Sequence, residues 1–138
     1  PYFQNDIDIK TEQRRLINKL NSGLINSIWF QFGSDLQKLK KEIYFIKNIQ
    51  TNLSDINSNS IDIFGSIFIP SKQFLARFKF RPWRGVFLSN EYLNSIEESK
   101  IITKNILNLY SDNDIVPLIE SECINQKQLI EARKFIMI

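Results

Sequence analysis

The stretch that decides the fold is residues 61–70, which read IDIFGSIFIP. Its first nine residues are almost wholly apolar, and Pro70 ends the run. A near-continuous apolar run of this length is typical of a strand that is covered on both faces, as in a parallel sheet. The polar residues 51–60 before it are rich in Asn and Ser and read as a surface loop. We therefore predict a buried strand of a parallel sheet over residues 61–69.

Helices and strands alternate on both sides of this strand. Residues 1–9 are expected to be irregular, and the first helix is expected to begin at Thr11 and to end at 21–23. Alternation with short connections implies an α/β fold with a parallel sheet and right-handed crossovers. The predicted strands are 25–32, 61–69, 86–88 and 115–119, and the predicted later helices follow 33–35 and span 71–78, 89–110 and 125–138.

The composition excludes several kinds of site. The chain has 138 residues, the size of one domain, and its net charge is +3. That charge is too weak to indicate nucleic-acid binding by itself. There is one cysteine, Cys123, and no histidine, so an internal disulfide framework and histidine chemistry are both excluded. No apolar run approaches the roughly 18 residues of a membrane span, and we expect a cytoplasmic protein.

A glutamine at the end of the first predicted strand is a candidate binding residue. A helix with Leu16 and Lys19 leads through Gly23 into this strand, which ends at Gln31. An unpaired amide is costly among apolar residues, and a glutamine amide can both donate and accept hydrogen bonds. Gln31 therefore either caps the strand end through backbone hydrogen bonds or recognises the edge of a heterocycle, and the pattern favours neither alternative.

A second constellation follows the strand at 61–69, where cations and aromatic rings alternate. Such a mixture suits an anionic aromatic ligand or a single-stranded nucleic acid, because cations neutralise charge while rings stack. The alternative is an amphipathic helix whose rings point inward and whose basic face is solvated. The residues concerned are Lys72, Phe74, Arg77, Phe78, Lys79, Phe80, Arg81, Trp83 and Arg84.

These two constellations resemble the methylenetetrahydrofolate reductase family. That family is similar in having a helix with a leucine and a lysine, a glycine, and a strand ending in a glutamine. Its next strand runs from a glycine, here Gly65, through an apolar stretch to Pro70 and Ser71. The resemblance implies a flavin-dependent β/α barrel of the TIM type, of which residues 1–138 would be a single-domain C-terminal fragment. It also implies hydride transfer from NAD(P)H to flavin adenine dinucleotide, and then to 5,10-methylenetetrahydrofolate.

The resemblance assigns a role to five residues of this chain. Tyr2, Glu12 and Lys19 would contact flavin adenine dinucleotide. Gln31 and Ser71 would contact the folate-type substrate. No catalytic residue is assigned, because the family's catalytic acid comes from early barrel strands that would precede residue 1. The fragment alone is therefore not expected to turn over folate.

The chain also departs from the family pattern. Phe30 replaces the threonine that precedes the family's glutamine. The family has a longer connection, with an extra helix, before the strand that residues 86–88 would represent. Ser89, which follows that predicted strand, reads as a helix cap rather than a catalytic group.

Two carboxylates and the cysteine lie near the last predicted strand. Glu120 and Glu122 are one residue apart and could serve acid–base chemistry or bind a metal ion. No third ligand is evident, so solvated charges are the favoured interpretation and no metal site is predicted. Cys123 lacks a histidine partner and is expected to be structural.

Two further hypotheses come from other classes of protein. One is a basic–aromatic binding module for RNA or an acidic partner, and the other is a barrel relative with a different ligand. As an incomplete barrel, the isolated 138-residue fragment would have four strands in an open sheet with two free edges. Trp29, Phe64 and Phe68 would then be poorly covered, so that the isolated chain would be marginally stable, aggregation-prone or dimeric. Gln31 is expected within reach of Ser71 and Ser89.

Overall fold

Three parallel strands form the sheet of this protein, for which a computed structural model describes residues 6–54 and 61–137. Six helices accompany the strands within these residues. None of these helices is long and apolar enough to cross a membrane. The elements are α1 (Asp6–Asn21), β1 (Ser27–Phe30), α2 (Leu36–Ser54), β2 (Asp62–Phe68), α3 (Lys72–Phe80), α4 (Asn90–Asn94), α5 (Ile96–Ser111), β3 (Val116–Glu120) and α6 (Gln126–Ile136).

The order of the strands across the sheet follows the order along the chain. β2 lies in the middle, with β1 on one side and β3 on the other, and both pairings are parallel. α2 and α5 contact each other and pack on the same face of the sheet. On that face Ile63 and Ile67 of β2 are buried among side chains of both helices. The predicted α/β fold with a parallel sheet is confirmed.

A glycine in the middle strand lets α5 approach the sheet closely. The ring of Tyr110, in the last turn of α5, lies directly over Gly65. A Cβ atom at this position would overlap the tyrosine ring. The hydroxyl of Tyr110 reaches across β2 to the carbonyl oxygen of Ser66, at 3.5 Å. Gly65 is therefore required by packing, because only a residue without a side chain leaves room for this ring.

Around Trp29 and Val116, the opposite face of the sheet is not covered by the described helices. Trp29 is 65% exposed, and its ring lies 5.3 Å from that of Phe64, its partner in register on β2. Val116, the partner of Phe64 on β3, is also exposed. The expected exposure of Trp29 is confirmed. For Phe68 the expectation is wrong, because this ring is buried.

Phe68 is buried because a second core, made largely of aromatic rings, forms beyond the carboxyl ends of the strands. The ring of Phe68 stacks on that of Phe74 of α3, with the centroids 4.1 Å apart. Trp83 lies beside this pair and meets Phe68 edge-on, at 5.4 Å. We call this set the aromatic core; its buried members are Phe32, Phe68, Phe74, Leu75, Phe78, Leu88 and Tyr92.

The predicted strand at 86–88 is wrong, and the sheet has three strands rather than four. The carbonyl of Phe87 accepts a hydrogen bond from the N–H of Ser34, which lies in the loop after β1. The side chain of Ser34 accepts a second bond from the N–H of Ser89, at 2.7 Å. This segment therefore lies beside a loop, and the second edge of β2 is taken by β3.

The helices differ from their predicted bounds at several places. α2 continues to Ser54, so residues 51–54 belong to a helix and not to the predicted surface loop. α1 begins at Asp6 rather than Thr11, and Asp6 and Asp8 place negative charge in its first turn, where the helix dipole favours it. The predicted long helix 89–110 is two helices, because Ser95 ends α4 and caps α5 by accepting from the N–H of Glu98. The predicted cap at Ser89 is confirmed, since its hydroxyl accepts from the N–H of Tyr92.

Replacing Gly65 by alanine tests the close approach of α5. The added methyl group overlaps the ring of Tyr110, so either the helix or the ring must move. Overpacking of this kind costs about 1–3 kcal/mol of unfolding free energy, and urea denaturation measures it. The matched control is Ser66→Ala on the bare face, which should change the unfolding free energy by less than about 0.5 kcal/mol. Equal effects of the two variants would contradict this packing.

Alkaline pH should destabilise the protein partly through Tyr92, while burial also raises the pKa of Tyr110. Burial raises the pKa of the Tyr92 hydroxyl to about 12, although Thr103 lies 3.3 Å away. Below the ordinary pKa of about 10 the tyrosine is neutral in both states. Between about pH 10 and 12 only the unfolded chain ionises, so the stability that burial of neutral Tyr92 provides is lost as pH rises. The urea midpoint should be lower at about pH 11 than at about pH 9, and this difference should be smaller in Tyr92→Phe.

Candidate functional site

The carboxyl ends of the three strands meet at one edge of the sheet, which is where parallel sheets place their binding sites. Gln31 directly follows β1 and is exposed. Pro70 and Ser71 follow β2, and Glu122 and Cys123 follow β3. The loops after β2 and β3 share a cavity, while Gln31 lines a different one.

The first cavity, which we call the edge cleft, runs along the free edge of β1 between α1 and α2. Its volume is about 170 Å³. The side chain of Gln13 crosses it and donates to both carboxylate oxygens of Glu42, at 3.2 and 3.4 Å. The cleft thus has an apolar floor with amides and carboxylates around it. Its lining includes Glu12, Gln13, Leu16, Ile28, Trp29, Phe30, Gln31, Lys38, Leu39 and Glu42.

Two of the five predicted site residues, Glu12 and Gln31, lie together in the edge cleft. Glu12 also approaches Arg15 one turn later in α1, at 3.6 Å. Lys19 is exposed further along the helix and does not line the cleft. Tyr2 lies outside the described residues.

The edge cleft does not fit flavin adenine dinucleotide. Pockets for drug-sized ligands occupy about 300–1,000 Å³, and the cleft has about 170 Å³. Of the residues that the resemblance assigns to the flavin, only Glu12 lines it. Its size and its mixture of amides and carboxylates suit one planar ring system that both donates and accepts hydrogen bonds.

The second cavity, which we call the rim pocket, opens between the carboxyl ends of β2 and β3 and the helices α5 and α6. Its volume is about 300 Å³. The mixture of hydroxyl, amide, ammonium and carboxylate groups could hold a small polar molecule. Its lining residues are Ile69, Pro70, Ser71, Gln73, Lys100, Ser121, Glu122, Cys123, Gln128, Glu131, Ala132 and Phe135.

Glu122 is the most constrained carboxylate of the rim pocket. Its Oε1 lies 2.8 Å from a guanidinium nitrogen of Arg77, and its Oε2 accepts a hydrogen bond from the hydroxyl of Ser71 at 3.1 Å. The same hydroxyl caps α3 by accepting from the N–H of Phe74. Glu122 therefore ties the loop after β3 to the beginning of α3 and fixes one wall of the pocket.

The structure corrects the interpretation of Glu122 as a solvated charge. Its side chain is only 16% exposed and has two partners, whereas Glu120 is exposed. Ser71 is a helix cap and a partner of Glu122, and it lines the rim pocket rather than the cavity of Gln31. Sequence reasoning missed Glu122 and Arg77 as a pair, because they come from distant parts of the chain and no local pattern marks them.

The described part of the chain contains no group of three His, Cys, Asp or Glu side chains that could hold a metal ion. Cys123 is half-buried in the wall of the rim pocket. Comparison of the chain with protein-family models, with curated proteins and with solved structures finds no match in any of the three.

A double-mutant cycle tests the link between α3 and the loop after β3. We expect Arg77→Met and Glu122→Gln to show a coupling energy of about 0.5 kcal/mol, since Arg77 is more than half exposed and its charge is partly screened. The coupling should shrink as salt is added. Urea denaturation of the two single variants and the double variant measures it. Glu120→Gln combined with Arg77→Met is the control and should show no coupling; an equal value in both cycles would contradict the assigned contact.

Proposed function

We propose that this chain is part of a flavin-dependent oxidoreductase similar to the methylenetetrahydrofolate reductase family, which reduces 5,10-methylenetetrahydrofolate with NAD(P)H in the cytoplasm. The three parallel strands would be consecutive strands of a TIM-type β/α barrel. The helices would lie on its outside, and the bare face of the sheet would line its interior.

The order of the strands is the observation that carries the proposal. In a β/α barrel, each strand pairs with the strands before and after it in the chain, and every helix lies on the outer face. The order β1–β2–β3 with α2 and α5 on one face is the arrangement expected of such a segment. The bare face with Trp29 and Phe64, and the free edge of β1, are where further strands of a barrel would complete the core.

The connection between β2 and β3 adds support. The resemblance implies a long connection with an extra helix before the next strand. Because residues 86–88 are not a strand, the connection from β2 to the next strand extends to residue 115. It contains α3 and α4 in addition to the crossover helix α5. The shorter connection that the sequence indicated before residues 86–88 therefore no longer counts against the resemblance.

Gln31 is the residue of this chain with a defined part in the proposed reaction. Its amide is exposed at the carboxyl end of β1 and borders the edge cleft. There it can donate to and accept from the edge of a pterin ring at the same time, which orients the ring without chemistry of its own. Since the cleft does not fit the flavin, we assign the described residues no step of the hydride transfer.

The product of the complete gene tests the proposal. It should copurify with a yellow flavin and reduce methylenetetrahydrofolate. Gln31→Ala should lower kcat/KM for the folate substrate about tenfold, the loss expected when one hydrogen bond to the substrate disappears, and it should leave the flavin content unchanged.

Gln37→Ala is the matched control, because this glutamine is exposed on α2 and lines neither cavity. Its kcat/KM should equal that of the unmodified protein. A colourless product without flavin affinity would refute the oxidoreductase. If the enzyme is active and Gln31→Ala behaves like Gln37→Ala, the role of Gln31 is refuted and the proposed oxidoreductase is not.

A further inference from the structure

The positive charge of the chain is concentrated in one short segment. Residues 72–84 contain five of the 18 Lys and Arg residues and none of the 15 Asp and Glu residues. The rest of the chain therefore has 13 basic and 15 acidic residues and a net charge of −2. The modest overall charge of +3 hides this asymmetry.

The fold turns these cations outward. α3 buries Phe74, Leu75 and Phe78 in the aromatic core, which leaves its basic residues on the outer side of the helix. Of the five cations, Arg77 is paired with Glu122. The other four are all exposed; they are Lys72, Lys79, Arg81 and Arg84.

Two aromatic rings lie among these cations. Phe80, the last residue of α3, is 92% exposed, although burial of a phenylalanine is strongly favoured. Trp83 packs against Phe74 and Phe78 of the aromatic core, at 5.6 and 5.8 Å, and still exposes 38% of its surface. Trp83 is thus anchored in the aromatic core with part of its surface in solvent, three residues after a ring that the fold leaves uncovered.

We propose that this basic–aromatic surface, formed by Lys72, Lys79, Phe80, Arg81, Trp83 and Arg84, binds single-stranded nucleic acid. The four cations neutralise successive phosphates, and the exposed rings provide surfaces on which bases stack. Stacking distinguishes a nucleic acid from an acidic protein, which would use the cations alone. All six residues are exposed, and neither the edge cleft nor the rim pocket includes them. Such an exposed surface suits an extended polymer rather than an enclosed nucleotide.

Binding of the full chain to a fluorescent oligouridine of about 12 nucleotides, followed by anisotropy, tests the proposal. Four phosphate contacts predict that log K falls with log salt at a slope of about −3. Phe80→Ala should weaken binding about tenfold through lost stacking without changing the thermal unfolding of the chain, because the ring is almost fully exposed.

The charge reversal Arg81→Glu with Arg84→Glu should abolish measurable binding at physiological salt. Its control is Lys40→Glu with Lys41→Glu, which changes the net charge equally on the exposed side of α2 and should cost far less affinity. Undetectable or salt-insensitive binding would overturn the proposal, and so would equal losses in the two charge reversals. Competition by polyglutamate as strong as that by unlabelled RNA, with no effect of Phe80→Ala, would point to an acidic protein instead.

Discussion

The contact between Tyr110 and Gly65 is the constraint on which the rest of the structure depends. It sets the distance between α5 and the middle strand, and α5 in turn covers the sheet together with α2. β3 follows α5 after a short turn in which Asp114 adopts a positive φ of 55°, and Ile115 at its end is buried in the same core. A side chain at position 65 would shift the helix and the strand that it delivers to the edge of β2.

Beyond the carboxyl ends of the strands, aromatic rings and one carboxylate hold helices and loops together that strand pairing does not connect. The aromatic core covers Phe68 and holds α3 and α4 against the end of the sheet. Glu122 joins the loop after β3 to α3 through Ser71 and Arg77. These contacts build the rim pocket from parts that no strand pairing would bring together. Away from Phe68, the opposite face of the sheet receives no such cover from the described elements, and Trp29 is exposed there.

Features that depend on neighbouring residues in the sequence could be predicted, whereas features that depend on contacts between distant residues could not. The middle strand, predicted at 61–69 and observed at 62–68, and the cap at Ser89 depend on local patterns, and both predictions are confirmed. The segment 86–88 is apolar but short, and its position is decided by hydrogen bonds to Ser34, which lies far away in the chain. A three-residue run has no periodicity from which this could be read.

The residues of the candidate site also include some that the sequence placed correctly and some that it did not. Glu12 and Gln31, assigned by resemblance, share the edge cleft. Lys19 comes two helical turns after Glu12, about 10 Å further along the axis at 1.5 Å per residue, and that displacement carries it past the cleft. The hydrogen bond between Ser71 and Glu122 joins residues 51 positions apart, so no local sequence pattern could predict the pair.

The long separation between β2 and β3 also governs how the molecule assembles. β1, α2 and β2 are neighbours in sequence, whereas three helices, α3, α4 and α5, lie between β2 and β3. Contacts that close long loops form slowly, because the chain first loses the entropy of closure. During synthesis, which proceeds from the N-terminus, β2 therefore leaves the ribosome with one apolar edge unpaired until β3 emerges. Unpaired strand edges are sites of intermolecular pairing, so this interval is when the nascent chain is most exposed to aggregation.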